Sequence, residues 1–265
     1  MLRLHVGLLA GAAALLAAGA NAFALCAPVA EIPGARVFPT AVLPEGLPPR
    51  NSVEINYIGH STFLIRTAEG VTASTDYNNY YRAPIVPTIA TMNRAHPNHY
   101  SDNPEPGIKH VLRGWREGGY AAHDIVERDM RVFNIPTNIR NWDSGTTYYA
   151  GNSMFVFETA GLCIAHLGHL HHTLTDDHLK RLGPIDIVLI AVDGAVTITQ
   201  EGALTVIDQI KPKVVIPMHF WGYGSLERFV ALFDKTYPVK RSDSATVVFS
   251  RATLPEKQLL ILRGY

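Results

Sequence analysis

Twelve histidines occur in 265 residues, and their spacing is the part of this sequence that could do chemistry. The densest run, His166-Leu-Gly-His169-Leu-His171-His172, puts four imidazoles within seven residues. A second group is Arg94-Ala-His96-Pro-Asn98-His99, and a third is Ile216-Pro-Met-His219. Packing alone does not require such density. Imidazole is the commonest metal ligand and is largely neutral at working pH, so these segments predict a metal centre.

The elements that must position these histidines follow from periodicity. Val53–Ile58 alternates as a strand should. Thr62–Arg66 and Val71–Thr75 read as a hairpin across Ala68-Glu-Gly70. Further strands are expected at 88–92, 108–112, 130–135, 153–158 and 162–166, and a Gly/Asn/Thr-rich loop at 137–151. Thr175 should cap a helix over 176–182, stopped by Gly183 and Pro184. The continuous apolar run at 185–192 reads as a strand buried on both faces. Thr199 should cap a helix to Ile210, followed by a strand at 214–218 and an amphipathic helix at 225–233. Histidines fall repeatedly just after strands, where loops meet at one sheet edge. Strands first and alternating helix and strand later predict a two-sheet core with helices outside.

Composition limits the rest. Hydrophobic residues make up 47% and charged residues 17%, enough for a sizeable core. The formal net charge is zero, which argues against broad electrostatic capture of nucleic acid. Residues 1–24 combine an early Arg3, an apolar run from Leu8 to Ala20 and Ala22-Phe-Ala24, the pattern of a cleaved secretory signal. Export to the periplasm or beyond follows, with no stable membrane insertion after cleavage, because the run is short for a span. Residues 25–51 are proline-rich and read as an extended arm, leaving 52–265 as the folded domain. Of the two cysteines, Cys26 follows the cut, where lipidation is disfavoured by Leu25. Cys163 reads as a buried thiol in a strand, although one disulfide is permitted in an oxidising compartment.

Several segments in register resemble a known family. Gly59-His60-Ser-Thr-Phe-Leu-Ile65, Thr75-Asp76, the loop after the strand at 88–92, His166-Leu-Gly168 and Ile216-Pro-Met-His219 are similar to the metallo-β-lactamase fold. The branch is that of the L-ascorbate-6-phosphate lactonase-like and N-acylphosphatidylethanolamine phospholipase D-like hydrolases. The resemblance runs from about Val53 to Phe233 and implies an α/β (α+β), four-layer αββα sandwich with metal at one edge. It also implies metal-dependent hydrolysis of a small molecule. The family's His-x-His-x-Asp-His loop departs here, with Arg94 for its first histidine and Asn98 for its aspartate. The bridging aspartate expected after His-Leu-Gly is His169, and no histidine stands at 133–137.

These departures carry a charge argument. Two divalent ions bring four positive charges, which carboxylates normally offset. With two carboxylates lost, one metal on imidazoles is easier to support, zinc first, with iron or manganese as alternatives. The resemblance implies His96, His99, His169 and His219 as ligands, with His166 either a ligand or a support behind one. Asp76, His60 and Arg94 are the candidates for catalytic roles. Asp76 should support the metal loop, and it, His60, Asp102 or Asp193 would take a proton that Asn98 cannot. Arg94 either faces an anionic substrate or pairs with Asp76 or Asp102. The expected activity is metal-activated hydrolysis of an ester, lactone, amide or phosphodiester. A non-catalytic metal- or ligand-binding descendant and a redox or oxygen-handling metalloprotein stand as alternatives.

Overall fold

Alternation along the strands sets the layers. The computed structural model describes residues 46–141, 144–220, 222–233 and 235–264. The expected secretory signal, most of the arm and Cys26 lie outside these residues. The strands and helices in chain order are β1 (Ser52–Gly59), β2 (Thr62–Thr67), β3 (Thr72–Ser74), β4 (Ile89–Met92), β5 (His110–Arg113), β6 (Asp124–Glu127), β7 (Met130–Arg140), β8 (Thr147–Thr159), β9 (Leu162–His166), α1 (Asp176–Leu182), β10 (Ile187–Ala191), α2 (Gln200–Ile210), β11 (Val214–Met218), α3 (Gly222–Leu232), β12 (Val239–Arg241), β13 (Thr246–Ser250) and β14 (Gln258–Ile261).

Six strands form one sheet in the order β13-β1-β2-β3-β4-β5, and eight form a second in the order β12-β14-β11-β10-β9-β8-β7-β6. Period-2 alternation assigns each side chain to a layer. Val53 and Ile55 of β1, Phe155 and Phe157 of β8, Ile187 and Leu189 of β10, and Val214 and Ile216 of β11 meet between the sheets. The intervening residues Val156, Val188, Ile190 and Val215 face outward onto Leu182, Ala203, Val206, Leu226 and Phe229 of the three helices. This is why 185–192 is apolar throughout: it is covered on both sides. The outer face of the six-stranded sheet carries Ala90 and Met92, packed by Tyr77, Tyr100, Ile108 and Trp115 from loops and strand ends. The result is the expected sandwich of two sheets with flanking helices.

The helix boundaries follow the caps. Thr175 accepts from the His178 amide at the start of α1, and Thr199 accepts from the Gly202 amide at the start of α2. Two expectations need correction. The stretch 137–151 is not an open loop. Strands β7 and β8 continue into it, pairing Ile139 with Tyr148 and Arg140 with Thr147 beyond a register shift between Thr137 and Ile139. Polar, glycine-containing composition hid a projecting hairpin. Cys163, buried in β9, is disulfide-bonded rather than a free thiol.

Topology brings the histidines together. β3 and β4 are parallel, as are β9, β10 and β11. The segments that follow these strands therefore emerge at one end of their sheets, where open α/β sheets build sites. His219 N–H donates to the His60 carbonyl at 2.9 Å, tying the end of β11 to the β1–β2 turn on the opposite sheet. No helix among the described residues is long and apolar enough to cross a membrane.

Candidate metal centre

Four histidines from three segments converge: His60 in the β1–β2 turn, His96 and His99 after β4, and His219 after β11. One ring nitrogen from each lies within 4.8 Å of the others. His169, after β9, faces the same centre, with its ring centroid 5.0, 4.8 and 5.0 Å from those of His96, His99 and His219. The His96 and His99 Nε2 atoms are 3.2 Å apart. The His169 Nε2 is buried and has no hydrogen-bond partner among the described residues.

The protein holds these rings from behind. Asp76 Oδ2 lies 2.5 Å from His99 Nδ1, and both side chains are fully buried. Asn93 donates to Asp76 Oδ1 at 2.9 Å. Asp193 Oδ1 lies 3.1 Å from His219 Nδ1 and also accepts from the Thr197 hydroxyl. Its other oxygen takes the backbone N–H groups of Ala195, Val196 and Thr197 at 2.9, 2.7 and 3.2 Å. A carboxylate on Nδ1 fixes the tautomer that leaves Nε2 as a lone pair. His169 lacks a carboxylate; its Nδ1 instead meets His171 Nε2 at 2.7 Å.

Backbone geometry fits a functional site. His60, Asp76 and His219 take left-handed φ values of 55°, 40° and 52°. Such conformations cost on the order of 1–3 kcal/mol each and persist only where surroundings enforce them. The loop carrying His169 needs Gly168 at φ 60°. A Cβ there would sit 2.4 Å from both Asn152 Oδ1 and Asn93 Nδ2, and Asn152 Oδ1 accepts from the His169 amide at 2.7 Å.

Electrostatics keep the rings of His60, His96, His99 and His169 neutral. Burial, then the neighbouring His219 and His96, push His60 down to about 3. Burial and His219 push His96 down to about 4. His99 and His169 fall well below the usual imidazole value for the same first reason, burial. Burial also raises Asp76 to about 6, with His166 and the Asn93 amide pulling downward. Both shifts in the Asp76–His99 pair disfavour an ion pair, so a neutral imidazole donates there to the carboxylate. Burial pushes Asp193 upward, but hydrogen bonds from His219 and Thr197 outweigh it and hold the carboxyl below its ordinary range.

The remaining expected residues are placed differently. His166 Nε2 donates to the Ser61 carbonyl at 2.8 Å, and its Nδ1 accepts from the Gly168 amide at 3.2 Å. With both nitrogens engaged, it joins the two sheets rather than offering a lone pair to a metal. Asp76 is fully buried, with one oxygen on Asn93 and the other on His99, so its place is behind the cage. His60 stands within the cage itself. Arg94 lies over the Tyr148 ring, 5.0 Å from its centroid, and donates to its hydroxyl. Neither Asp76 nor Asp102 pairs with Arg94 among the described residues.

An open cleft of about 370 Å³ adjoins the cage. His96, His169, Asn98, Arg140 and His171 are among the residues that line it. Burial, then the Arg140 guanidinium, push His171 down to about 4. Arg140 escaped the sequence reading because it lies within the hairpin taken for a loop. Asn93 and Asn152 escaped because a buried amide leaves no periodic signal.

The donor set fits a divalent cation. Clustered neutral imidazoles, carboxylates behind two of them and an orphaned buried nitrogen are what an imidazole-bound ion requires. Comparison agrees on the fold. The beta-lactamase superfamily domain matches residues 54–219, and the chain belongs to that family. The chain is 25% identical over 195 residues to a UPF0173 metal-dependent hydrolase of Nanoarchaeum equitans, covering 63% of this chain and 84% of that one. It is 24% identical over 191 residues to another of that name from Pyrococcus abyssi, with the same coverage. A Thermotoga maritima structure of the metallo-beta-lactamase superfamily superposes with a TM-score of 0.61 at 24% identity, over 80% of this chain and all of that one. Igni18, a metallo hydrolase from Ignicoccus hospitalis, gives 0.55 at 19%, over 75% of this chain and 99% of that one.

Proposed function

We propose that this protein is a metal-dependent hydrolase that works with one divalent ion, zinc first, held by imidazoles alone. The observation that carries the reading is the convergence of His60, His96, His99 and His219 within 4.8 Å, with His169 against them. The UPF0173 relatives are named metal-dependent hydrolases, which supports the same class. An ion in this cage supplies Lewis-acid polarisation of a carbonyl or phosphoryl oxygen and acidifies a water to a pKa of roughly 7.

The chain's own residues bind and orient. Asp76 and Asp193 fix the tautomers of His99 and His219, so their Nε2 lone pairs face the centre. His171 does the same for His169 through a neutral acceptor. The cleft carries no carboxylate among its described lining residues. Asn98, standing where the family has an aspartate, is neither acid nor base at neutral pH. The reading that follows is hydrolysis driven by electrophilic activation, on an ester, lactone, amide or phosphodiester small enough for the cleft. A signal pattern in residues 1–24 supports action outside the cytoplasm.

Hydrolysis of p-nitrophenyl esters, a simple lactone and a phosphodiester tests this. Activity should vanish after chelation and return with zinc, iron or manganese. Fully loaded protein that leaves every substrate at the buffer rate would contradict it.

A further inference from the structure

We infer that the side-chain amide of Asn98 donates a hydrogen bond to the carbonyl or phosphoryl oxygen of the scissile group and offsets the negative charge that grows there in the transition state. This rests on the hydrolase reading above and gives Asn98 a catalytic role within it.

The first argument is placement. The His99 amide donates to the His96 carbonyl at 2.9 Å, closing His96-Pro97-Asn98-His99 into a four-residue turn. Pro97 at its second position fixes φ near the value such a turn needs. The Asn93 amide donates to the His99 carbonyl at 2.9 Å and ties the turn back to the end of β4. Asn98 therefore stands between two histidines of the cage on backbone held at both ends. Donors placed in advance of the reaction are the ones that lower its barrier.

The second is hydrogen bonding. The neighbouring amides are spent on structure. Asn93 gives its Nδ2 to Asp76 and the Ser153 carbonyl, and its Oδ1 to the Ser153 amide. Asn152 gives its Nδ2 to Thr137 and the Leu167 carbonyl, and its Oδ1 to the His169 amide. Asn98 differs from both. It is half-buried and lines the cleft beside His96 and His169. Its side chain has no hydrogen-bond partner among the described residues.

The third is chemistry. A primary amide carries two N–H donors and no charge, whereas an ionised carboxylate only accepts. An aspartate at this position would repel an electron-rich oxygen; the asparagine attracts it. Hydrolysis at a carbonyl or phosphoryl centre puts charge on such an oxygen as the barrier is crossed. Ala95, Ile139 and Val196 line the same cleft with apolar surface, and a donor in less polar surroundings acts more strongly than one in water.

Two measurements on the full chain test this. The first is hydrolysis of p-nitrophenyl acetate and bis(p-nitrophenyl) phosphate by zinc-loaded protein. Asn98→Ala should lower kcat about 100- to 1000-fold, with KM within about threefold of wild type and metal content unchanged. Asn98→Asp, equal in size but acceptor-only, should fall as far. The second is the infrared carbonyl stretch of carbon-13-labelled γ-butyrolactam added to metal-free protein. It should lie at lower frequency with wild type than with Asn98→Ala. Wild-type kcat in Asn98→Ala, full activity in Asn98→Asp, loss of metal from Asn98→Ala, or identical lactam spectra would each overturn the inference. If loaded protein hydrolysed nothing while the lactam shift persisted, the hydrolase reading would fall and the Asn98 donor would stand.

Discussion

Asp76 Oδ2 and His99 Nδ1 meet at 2.5 Å in full burial, and Asn93 holds the second carboxylate oxygen at 2.9 Å. A strand-end carboxylate thereby fixes which nitrogen of a candidate ligand faces the centre. Asp193 does the same for His219 from the opposite sheet.

Replacing that carboxylate should loosen the metal without unfolding the protein. Asn tolerates the left-handed backbone of position 76, where φ is 40°. Asp76→Asn should therefore fold yet lose roughly 10- to 100-fold in metal affinity, the usual effect of removing a partner behind a histidine ligand. Competition with a metal-binding dye measures this. Unchanged affinity would show that Asp76 does not orient His99.

Gly168 gives a steric prediction. An added Cβ would press on the Asn152 and Asn93 amides at 2.4 Å, in a backbone region unfavourable to side chains. Gly168→Ala should destabilise the fold by about 1–3 kcal/mol and lower metal content, because the His169 amide depends on Asn152. Urea denaturation alongside elemental analysis reads both, and a variant equal to wild type in each would refute the account of this loop.

The pH dependence of the metal-free protein has a definite sign. His60 and His96 titrate at about 3 and 4 in the folded protein, against roughly 6.5 when unfolded. Between those values the unfolded state binds protons that the folded state refuses. Stability is therefore complete above the unfolded pKa and is lost as pH falls from about 6.5 toward 4. The slope is at most about 1.4 kcal/mol per pH unit for each such histidine, and less for half-exposed His96 because solvent screens it. Urea midpoints at pH 7, 6, 5 and 4.5 should decline steadily; a flat series would mean the rings are not buried neutral.

Core truncation provides a calibration far from the chemistry. Phe157 is fully buried between the sheets, so Phe157→Ala should cost about 3–5 kcal/mol. Metal stoichiometry in the folded fraction should not change. A cost below 1 kcal/mol, roughly the range for surface changes, would contradict the packing described.

Much of this was legible because it rests on local, periodic signals. The caps at Thr175 and Thr199, the β11 strand at 214–218 and the doubly covered run at 185–192 all follow from side-chain period and turn chemistry. The cage was partly legible, since His96, His99, His169 and His219 sit after strands that parallel pairing must bring to one edge. His60 stood among the candidates for a catalytic role, and only pairing of the β1–β2 turn with the end of β11 places it among the clustered imidazoles. His166 read as either a ligand or a support behind one, and strand alternation turns it toward Ser61. The β7–β8 hairpin and Arg140 were hidden because pairing across a bulge does not need an apolar pattern. The late strands β12 and β13 are short and mostly exposed or half-buried, and β14, though largely buried, is only four residues long, so their identity as strands comes from neighbours in the sheet rather than from their own residues.

The most direct test of the central claim is elemental analysis of the untagged protein, with His60→Ala, His96→Ala, His169→Ala and His219→Ala alongside. The account predicts about one divalent ion per chain and a marked loss in each variant. Two ions per chain, or a wild-type complement of metal in the variants, would contradict a single all-imidazole centre.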